Sequence, residues 1–383
     1  MRVSLDYNRH LYKGGGVYIS LGFNTGITTR YYKTANQETR KGNLAFSNIF
    51  VNCIKHKQDL VFDCYIGRTT TIFTIKSSQE TMSEDLINSI SYFSSLCFSV
   101  DEFVDVKKIT LEGFKREYKN GDFRSRYKAL EVADIVKGYT FDGLVEDLAN
   151  IEYEEFISLY NDLIKCGKCN VYVNGNIRDL SLEEIDTISK LSNNDIIPTI
   201  WCGKNLDHYL FDDAHIIEVA RESCNISVLH FSFDKSTNML DKFLWTTIES
   251  ERIPEKDKEF NVDWYDASVI VRTADVISIK EYLTDNINEE EYKKAKCSTL
   301  MKYFRLLEKN PIIYAQRFLE MKNNNCDLND YLQTLDRLEY AEYTRAARKI
   351  RPFTTEAQIT RNVFRARYRK RPVFTSQPEK YFL

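Results

Sequence analysis

The sequence contains few side chains that could form a metal centre. Of its five histidines, only His215 has a carboxylate at the spacing of a helical zinc motif, in His215-Ile-Ile-Glu218. The next residue is Val219, whereas such a motif needs a second imidazole to hold the metal while a glutamate polarises the bound water. The segment also alternates like a β-strand. We therefore exclude a helical zinc site here and interpret His215 as an edge or surface residue.

Two further motifs carry weaker chemical signals. Cys166-Gly-Lys-Cys169 could be a redox dithiol or half of a zinc site, but no second pair accompanies it and a structural zinc site needs four ligands. Two ordinary thiols in a turn are the favoured interpretation. Gly14-Gly15-Gly16 precedes a predicted strand and does not lead into a helix, so it lacks the context of a phosphate-binding loop.

The C-terminal run 361–371 is basic and is interspersed with aromatic residues. It could contact RNA or an acidic protein surface. A solvated tail or an arm between subunits is favoured, because the whole chain has a net charge of −3. We predict no nucleic-acid partner.

The composition is that of a foldable protein of two domains. The chain has 383 residues, of which 43% are hydrophobic and 28% charged. Its nine cysteines are scattered, and neither a signal peptide nor an apolar run of about 18 residues is present. These features predict reduced thiols, no membrane span and a cytoplasmic location.

A repeat within the chain predicts how these residues are positioned. Residues 142–156 match residues 329–343 without a gap, which gives the repeat an offset of 187, from position 142 to position 329. The identical pairs are Leu148 and Leu335, Glu152 and Glu339, Tyr153 and Tyr340, and Glu155 and Glu342. An offset this long indicates a tandem duplication and excludes a short-period solenoid.

Each half shows β-type alternation followed by several segments with helical periodicity. We predict an α+β protein with two tandem homologous domains, each an antiparallel or mixed sheet covered by helices. The domains are placed at 1–195 and 206–350, separated by the aperiodic stretch 193–205 and followed by a basic tail, 351–383.

This arrangement resembles the pitrilysin/insulinase metallopeptidases, whose zinc motif is the inverted H-x-x-E-H. Gly42-Asn-Leu-Ala-Phe-Ser-Asn-Ile-Phe50 resembles the Gly-x-x-H-F-x-E-H helix of that family. Ala45 takes the place of the first histidine, Asn48 that of the glutamate and Ile49 that of the second histidine. The resemblance therefore implies that this chain binds no metal and no other cofactor.

The resemblance also assigns three further positions. The segment 106–119 resembles the helix that brings the third zinc ligand, with Glu112 or Glu117 as its relic. Active members use an Arg-Tyr pair in the second half to hold the substrate carbonyl. Here the corresponding stretch contains Arg252 but has Phe260 near the tyrosine position, so Arg252 is the candidate for positioning substrate.

The function implied by this resemblance is that of a non-catalytic subunit in a heterodimeric zinc endopeptidase. A partner that carries the zinc motif would supply the metal, while this chain closes the chamber and positions a peptide precursor, in the manner of subtilosin-like bacteriocin biosynthesis. The alternative is a structural or peptide-binding protein with a peptidase-like fold and no role in catalysis. An enzyme with a non-metal site is disfavoured, because no pair of nucleophile and base stands out.

Overall fold

The computed structural model describes residues 1–9, 15–34, 38–57, 62–119, 141–191, 200–201, 214–219, 224–232, 239–252, 268–271, 287–323, 326–347 and 351–360. Helical periodicity also predicts helices at 125–136 and 276–283. These two segments lie outside the described residues, as do His10, His208, Phe260 and the run 361–371.

The first half is built on a five-stranded mixed sheet. Its strands are β1 (Arg2–Arg9), β2 (Val17–Phe23), β5 (Asp63–Ile66), β6 (Thr71–Ser77) and β7 (Lys168–Gly175). The strand order is β1-β7-β2-β6-β5, and only the β1–β7 pair is parallel. The helices are α1 (Phe46–Lys57), α2 (Met82–Ser95), α3 (Val100–Glu117), α4 (Phe141–Asn150), α5 (Tyr153–Tyr160) and α6 (Leu182–Leu191). A π-helical turn, Asn161–Lys165, joins α5 to β7.

A short accessory sheet lies beside this core. It contains β3 (Tyr31–Lys33), β4 (Thr39–Lys41) and β8 (Ile200–Trp201), in the order β4-β3-β8. The stretch predicted as a linker, 193–205, thus contains a strand that pairs with the first half.

The second half has a four-stranded sheet of β9 (Ala214–Val219), β10 (Cys224–Ser232), β11 (Ser268–Val271) and β12 (Arg351–Thr360). Its order, β9-β12-β10-β11, repeats the order β1-β7-β2-β6 of the first sheet, again with one parallel pair. The helices are α7 (Met239–Arg252), α8 (Glu289–Lys309), α9 (Pro311–Asn323), α10 (Leu328–Arg337) and α11 (Tyr340–Ala347). The predicted α+β class is confirmed, and the predicted strand at His215 is present as β9.

The two halves keep the offset of 187 residues over only part of their length. The bounds of α10 and α11 are those of α4 and α5 shifted by that amount. The N-caps of α3 and α8, Ser99 and Asn288, are instead 189 positions apart. The loops between equivalent elements therefore differ in length, which explains why the repeat is visible in the sequence only near the helix pair.

The predicted boundary at residue 350 is wrong. Residues 351–360 form β12, which lies inside the second sheet between β9 and β10. Local pattern could not reveal this strand, because both of its partners lie more than a hundred residues earlier in the chain.

The helical periodicity of 327–350 predicts one continuous helix, whereas the structure has two helices in this segment, α10 and α11. Leu338 ends α10 with an extended backbone. Its carbonyl oxygen accepts hydrogen bonds from the Tyr292 hydroxyl at 2.6 Å and the Lys296 ammonium at 3.0 Å. These tertiary donors replace the helical amide donor that a continuous helix would have supplied.

The two halves meet where α9 packs on the first sheet. Alternate residues of β2 and β7 point to opposite faces of the sheet, so one face lies in the first hydrophobic core and the other beneath α9. A Cβ added at Gly22 of β2 would lie 3.2 Å from Leu319 of α9. The Asn174 amide donates to the carbonyl oxygen of Pro311 at 3.1 Å. The buried face of α9 thus joins the halves through close apolar packing and buried amide contacts.

Among the residues described, the structure contains no helix with the length and apolar character needed to cross a bilayer.

Candidate functional site

Two of the three residues predicted to replace the family zinc motif, Ala45 and Ile49, lie at the start of α1 and are part of the hydrophobic core. Ala45 and Ile49 are both 0% exposed. Their neighbours on the helix, Phe46 and Phe50, stack with ring centroids 5.7 Å apart, and Phe46 also packs against Phe156 of α5. Both histidine positions are therefore filled by apolar side chains with no open space in front of them.

Asn48, at the glutamate position, is only partly buried. Its amide nitrogen is shielded from solvent and has no hydrogen-bond partner among the residues described. One turn further along α1, the Asn52 amide donates to the Thr110 hydroxyl of α3 at 2.8 Å. Side-chain contacts between α1 and α3 thus include this amide–hydroxyl hydrogen bond and, at the other end of α1, an ion pair between Lys57 and Glu102 at 2.9 Å.

These residues do not fit a catalytic zinc ion. A methyl group at Ala45 and an aliphatic chain at Ile49 offer no electron pair, and an asparagine amide is a poor substitute for a glutamate base. In the described part of the chain, no group of three or more His, Cys, Asp or Glu side chains could hold a metal ion.

The proposed relics of the third zinc ligand are not brought to this place. Glu112 and Glu117 both have exposed side chains on α3. The α3 residues that are buried are Phe103, Val106, Thr110 and Phe114. Helical periodicity places Glu112 opposite this buried face, whereas Glu117 follows Phe114 by three residues on the same side and is exposed at the last residue of the helix. The assignment of either one as a relic ligand stays a prediction.

Arg252 ends α7 in a buried ion pair. Its guanidinium lies 2.8 Å from the Glu249 carboxylate one turn earlier, and the two side chains are 5% and 3% exposed. The Glu249 carboxylate also accepts a hydrogen bond from the Tyr343 hydroxyl of α11. Burial raises the pKa of Glu249, and the Arg252 charge opposes that rise. The carboxylate is stabilised by two donors, and its hydrogen bond with Tyr343 joins α7 to α11.

A polar cleft of about 270 Å³ lies next to the first turn of α1. It was not predicted, although four of its lining residues, Gly143, Glu146, Asp147 and Asn150, have the i, i+3, i+4, i+7 spacing of one helix face. The opposite side is formed by Arg30, Lys41 and Asn43, and Ile151 and Glu155 complete the lining.

Asp147 connects this cleft to α1. Its carboxylate accepts a hydrogen bond from the Leu44 backbone N–H at 2.9 Å and lies 4.0 Å from the Arg30 guanidinium. Burial raises the pKa of Asp147, while the hydrogen bond from Leu44 and the charge of Arg30 act in the opposite direction. Asn43 donates to the Glu155 carboxylate at 3.0 Å, and its side-chain oxygen accepts from the Ala45 N–H. These bonds satisfy backbone donors at the start of α1.

Comparison with solved structures gives consistent results over nearly the whole chain. An M16-like peptidase of Alicyclobacillus acidocaldarius has a TM-score of 0.70 at 12% identity, covering 94% of this chain and 96% of that one. A protease of Helicobacter pylori has a TM-score of 0.68 at 15% identity, with coverages of 93% and 96%. This chain has the M16-like peptidase fold.

A third neighbour with this fold is an inactive M16 domain of Pseudomonas fluorescens, with a TM-score of 0.60 at 14% identity, covering 94% of this chain and 95% of that one. No protein-family model and no curated protein matches the sequence. M16 denotes the pitrilysin-type peptidases, so the fold agrees with the class expected from the residues around Ala45.

The remaining motif is the pair Cys166 and Cys169, which belongs to no metal-binding group of three or more ligands within the described part of the chain. Cys166 is exposed, Cys169 is buried at the start of β7, and both are free thiols. Burial raises the pKa of Cys169. A thiol that is both buried and protonated is a poor nucleophile, so Cys169 is unsuited to redox or nucleophilic chemistry.

Proposed function

We propose that this chain is the non-catalytic subunit of a heterodimeric zinc endopeptidase of the M16 type. The observation that carries the proposal is the burial of Ala45 and Ile49 in the apolar core, at the positions where the family has its zinc-binding histidines. A chain with this fold but without metal ligands would depend on a second subunit for its chemistry.

The partner would be a subunit that bears the H-x-x-E-H motif and supplies the zinc ion, the attacking water and the general base. In length and in the loss of the motif, this chain resembles AlbE, the zinc-less partner of AlbF in subtilosin-type bacteriocin biosynthesis. This likeness implies that the complex contains an AlbF-like partner, acts in the cytoplasm and processes a peptide precursor of bacteriocin type.

The role of this chain would be to complete the chamber and orient the peptide. An extended peptide gains main-chain hydrogen bonds when it lies along the edge of a sheet, while side-chain pockets select its sequence. A closed chamber also limits the water around the scissile carbonyl. Arg252 remains the candidate for positioning the substrate, and its ion pair with Glu249 gives it a stabilising role as well.

The test is to purify the chain alone, the partner alone and the two together. Bound zinc is measured by elemental analysis, and cleavage of the precursor by mass spectrometry. We expect zinc only with the partner and efficient cleavage only with both subunits. Zinc in equimolar amount together with hydrolysis by this chain alone would refute the proposal. The matched inactive control is a complex in which the glutamate of the partner's H-x-x-E-H motif is replaced by glutamine.

Kinetic measurements on the complex distinguish the proposed role from the alternative, in which this chain is a structural or peptide-binding protein. In the complex, Arg252→Lys keeps the charge next to Glu249, and Arg305→Lys makes the same change on the exposed face of α8. If Arg252 positions the peptide, the first variant alone lowers kcat/KM while the thermal midpoint stays close to that of the wild type. If this chain can be omitted without changing the rate of cleavage by the partner, the alternative holds.

A further inference from the structure

The exposed face of α8 carries an apolar stripe along its centre. Cys297, Met301 and Phe304 follow one another at spacings of four and three residues, which places them on one line along the helix. All three side chains are exposed, Met301 to 45% and Phe304 to 57%. The opposite side of the helix is packed in the second core and contains the buried residues Tyr292, Ala295, Thr299 and Tyr303.

The equivalent helix of the first half shows that the fold does not require this stripe. The N-caps Ser99 and Asn288 are 189 positions apart, so the α3 positions that correspond to the stripe are 108, 112 and 115. They are occupied by Lys108, Glu112 and Lys115, all of them charged. The stripe is therefore a property of α8 itself. Its apolar side chains leave water when another protein surface covers them.

The charges at the two ends of the stripe fit a second copy of the same helix. Lys294 lies seven residues before Met301, and Glu308 lies seven residues after it, so all three share one line. Lys294 and Glu308 are exposed, and within the described part of the chain neither has a hydrogen bond or ion pair. Antiparallel pairing about a twofold axis at Met301 brings Lys294 of each copy to Glu308 of the other. Parallel pairing would bring like charges together.

We propose that this face of α8 pairs with the same face of a second copy of the chain, as a symmetric antiparallel helix pair. In this register the Met301 side chains meet at the axis, and Phe304 of each copy lies next to Cys297 of the other. Apolar burial supplies the attraction, while the charge pairs and the opposed helix dipoles set the direction. The contact does not depend on the proposed pairing with a zinc-bearing subunit.

Other occupants fit less well. An acidic partner surface would meet Glu308 at one end of the stripe, and a basic one would meet Lys294 at the other. An anionic lipid surface is disfavoured for the same reason, because Glu290 and Glu308 both lie on the line of the stripe.

Disulfide trapping with the full chain tests the register. The background protein has the exposed Cys97, Cys166 and Cys297 replaced by Ser. In it, Met301→Cys should form an intermolecular disulfide under mild oxidation, seen by non-reducing electrophoresis, because two identical residues meet at the axis. Glu112→Cys, at the equivalent position of α3, is the matched control and should remain uncross-linked. Equal cross-linking of the two variants, or none with Met301→Cys, would overturn the proposal.

A charge exchange tests the pairing of the ends, with the dimer measured by analytical ultracentrifugation. The wild-type chain should show a dimer fraction that rises with concentration. Lys294→Glu should raise the dissociation constant about tenfold, because it makes two attractive pairs repulsive. Adding Glu308→Lys restores opposite charges and should return the constant to within about twofold of the wild type. Lys108→Glu on α3 is the control and should change nothing. A monomeric wild-type chain, or a double variant as weak as the single one, contradicts the pairing.

Phe304→Ala distinguishes a second copy from the zinc-bearing subunit as the occupant of the stripe. Phe304 is 57% exposed, so the thermal midpoint should stay close to that of the wild type. Self-association should weaken about tenfold, because apolar burial is lost in both copies. Assembly with the zinc-bearing subunit should be unchanged. The reverse result, loss of that assembly with self-association intact, would assign the stripe to the other subunit and refute the proposal.

Failure of the proposed function leaves this result intact, since self-association is measured with the chain alone. Conversely, a chain that stays monomeric can still complete a peptidase chamber. The two proposals therefore fail independently.

Discussion

The rings of Tyr172 and Phe318 stack with their centroids 4.0 Å apart and an interplanar angle of 20°. Tyr172 lies on β7 of the first half and Phe318 on α9 of the second, and each is 2% exposed. One aromatic pair thus links the two sheet-containing halves at the centre of their contact. Its burial brings both dispersion and hydrophobic stabilisation to the interface.

Replacing Phe318 by Ala should destabilise the protein by about 3–5 kcal/mol, because a large buried side chain is lost and a cavity remains. The shift in the urea denaturation midpoint measures the effect, and hydrogen exchange should report faster exchange in β7. Ile313→Ala on the same helix is the control, since Ile313 is 38% exposed and should cost less than about 1 kcal/mol. Equal effects of both variants would contradict the assigned interface.

Replacement by alanine should change the free energy of unfolding in opposite directions at two glycines. A Cβ at Gly26 would lie 2.3 Å from the Arg68 backbone oxygen, whereas a Cβ at Gly113 within α3 meets nothing within 4 Å. We expect Gly26→Ala to destabilise by about 1–3 kcal/mol through the backbone shift it forces. Gly113→Ala should stabilise by about 0.5–1 kcal/mol, because alanine loses less backbone entropy in a helix. Thermal unfolding of both variants checks the signs, and a stable Gly26→Ala protein would show that the tight turn is misplaced.

Restoring the family motif should not restore a zinc site. The triple variant Ala45→His, Asn48→Glu, Ile49→His puts two imidazoles into a region that is apolar and 0% exposed. Elemental analysis should find less than one zinc per chain. The protein should be less stable by roughly 2 kcal/mol or more, because buried polar groups would lack partners. The single variant Asn48→Glu, at the partly exposed position, should be tolerated better. One tightly bound zinc per chain in the triple variant would contradict the burial described for α1.

Stability should fall in alkaline solution in a way that depends on Cys53. Burial, followed by the charge of Glu102, raises the pKa of this thiol from its ordinary value of 9.0 to about 12. From about pH 9 to 12, therefore, the unfolded thiol loses its proton while the folded one keeps it. The stabilising contribution is complete below pH 9 and is lost as pH rises, by up to about 1.4 kcal/mol per pH unit.

Urea denaturation at several pH values should accordingly show a shallower alkaline decline for Cys53→Ala than for the wild type. The exposed Cys97 provides the control, because Cys97→Ala should leave the slope unchanged. Identical slopes for all three proteins would show that Cys53 is ionised in the folded state or is not buried.

The α+β class could be predicted from the sequence because it rests on local information, whereas the M16-type fold was expected from a family resemblance. Alternation identified strands such as β2, helical spacing identified α3 and α8, and the chemical identity of Ala45 and Ile49 is sufficient to exclude zinc ligation at those two positions. The repeat was visible where α4 and α5 match α10 and α11, since the connection within each pair has the same length.

Tertiary structure decided everything that depends on distant partners. The strand at 351–360 became part of the second sheet through pairing with β9 and β10, and the helix beyond Asp327 was interrupted by donors from α8. Exposure of Glu112, burial of Arg252 beside Glu249, and the gathering of Arg30, Lys41 and Glu146 around one cleft are results of packing. Residue types and spacing determine which groups are available. Only the packing of helices on sheets determines which of them are buried, which are paired and which remain exposed to solvent.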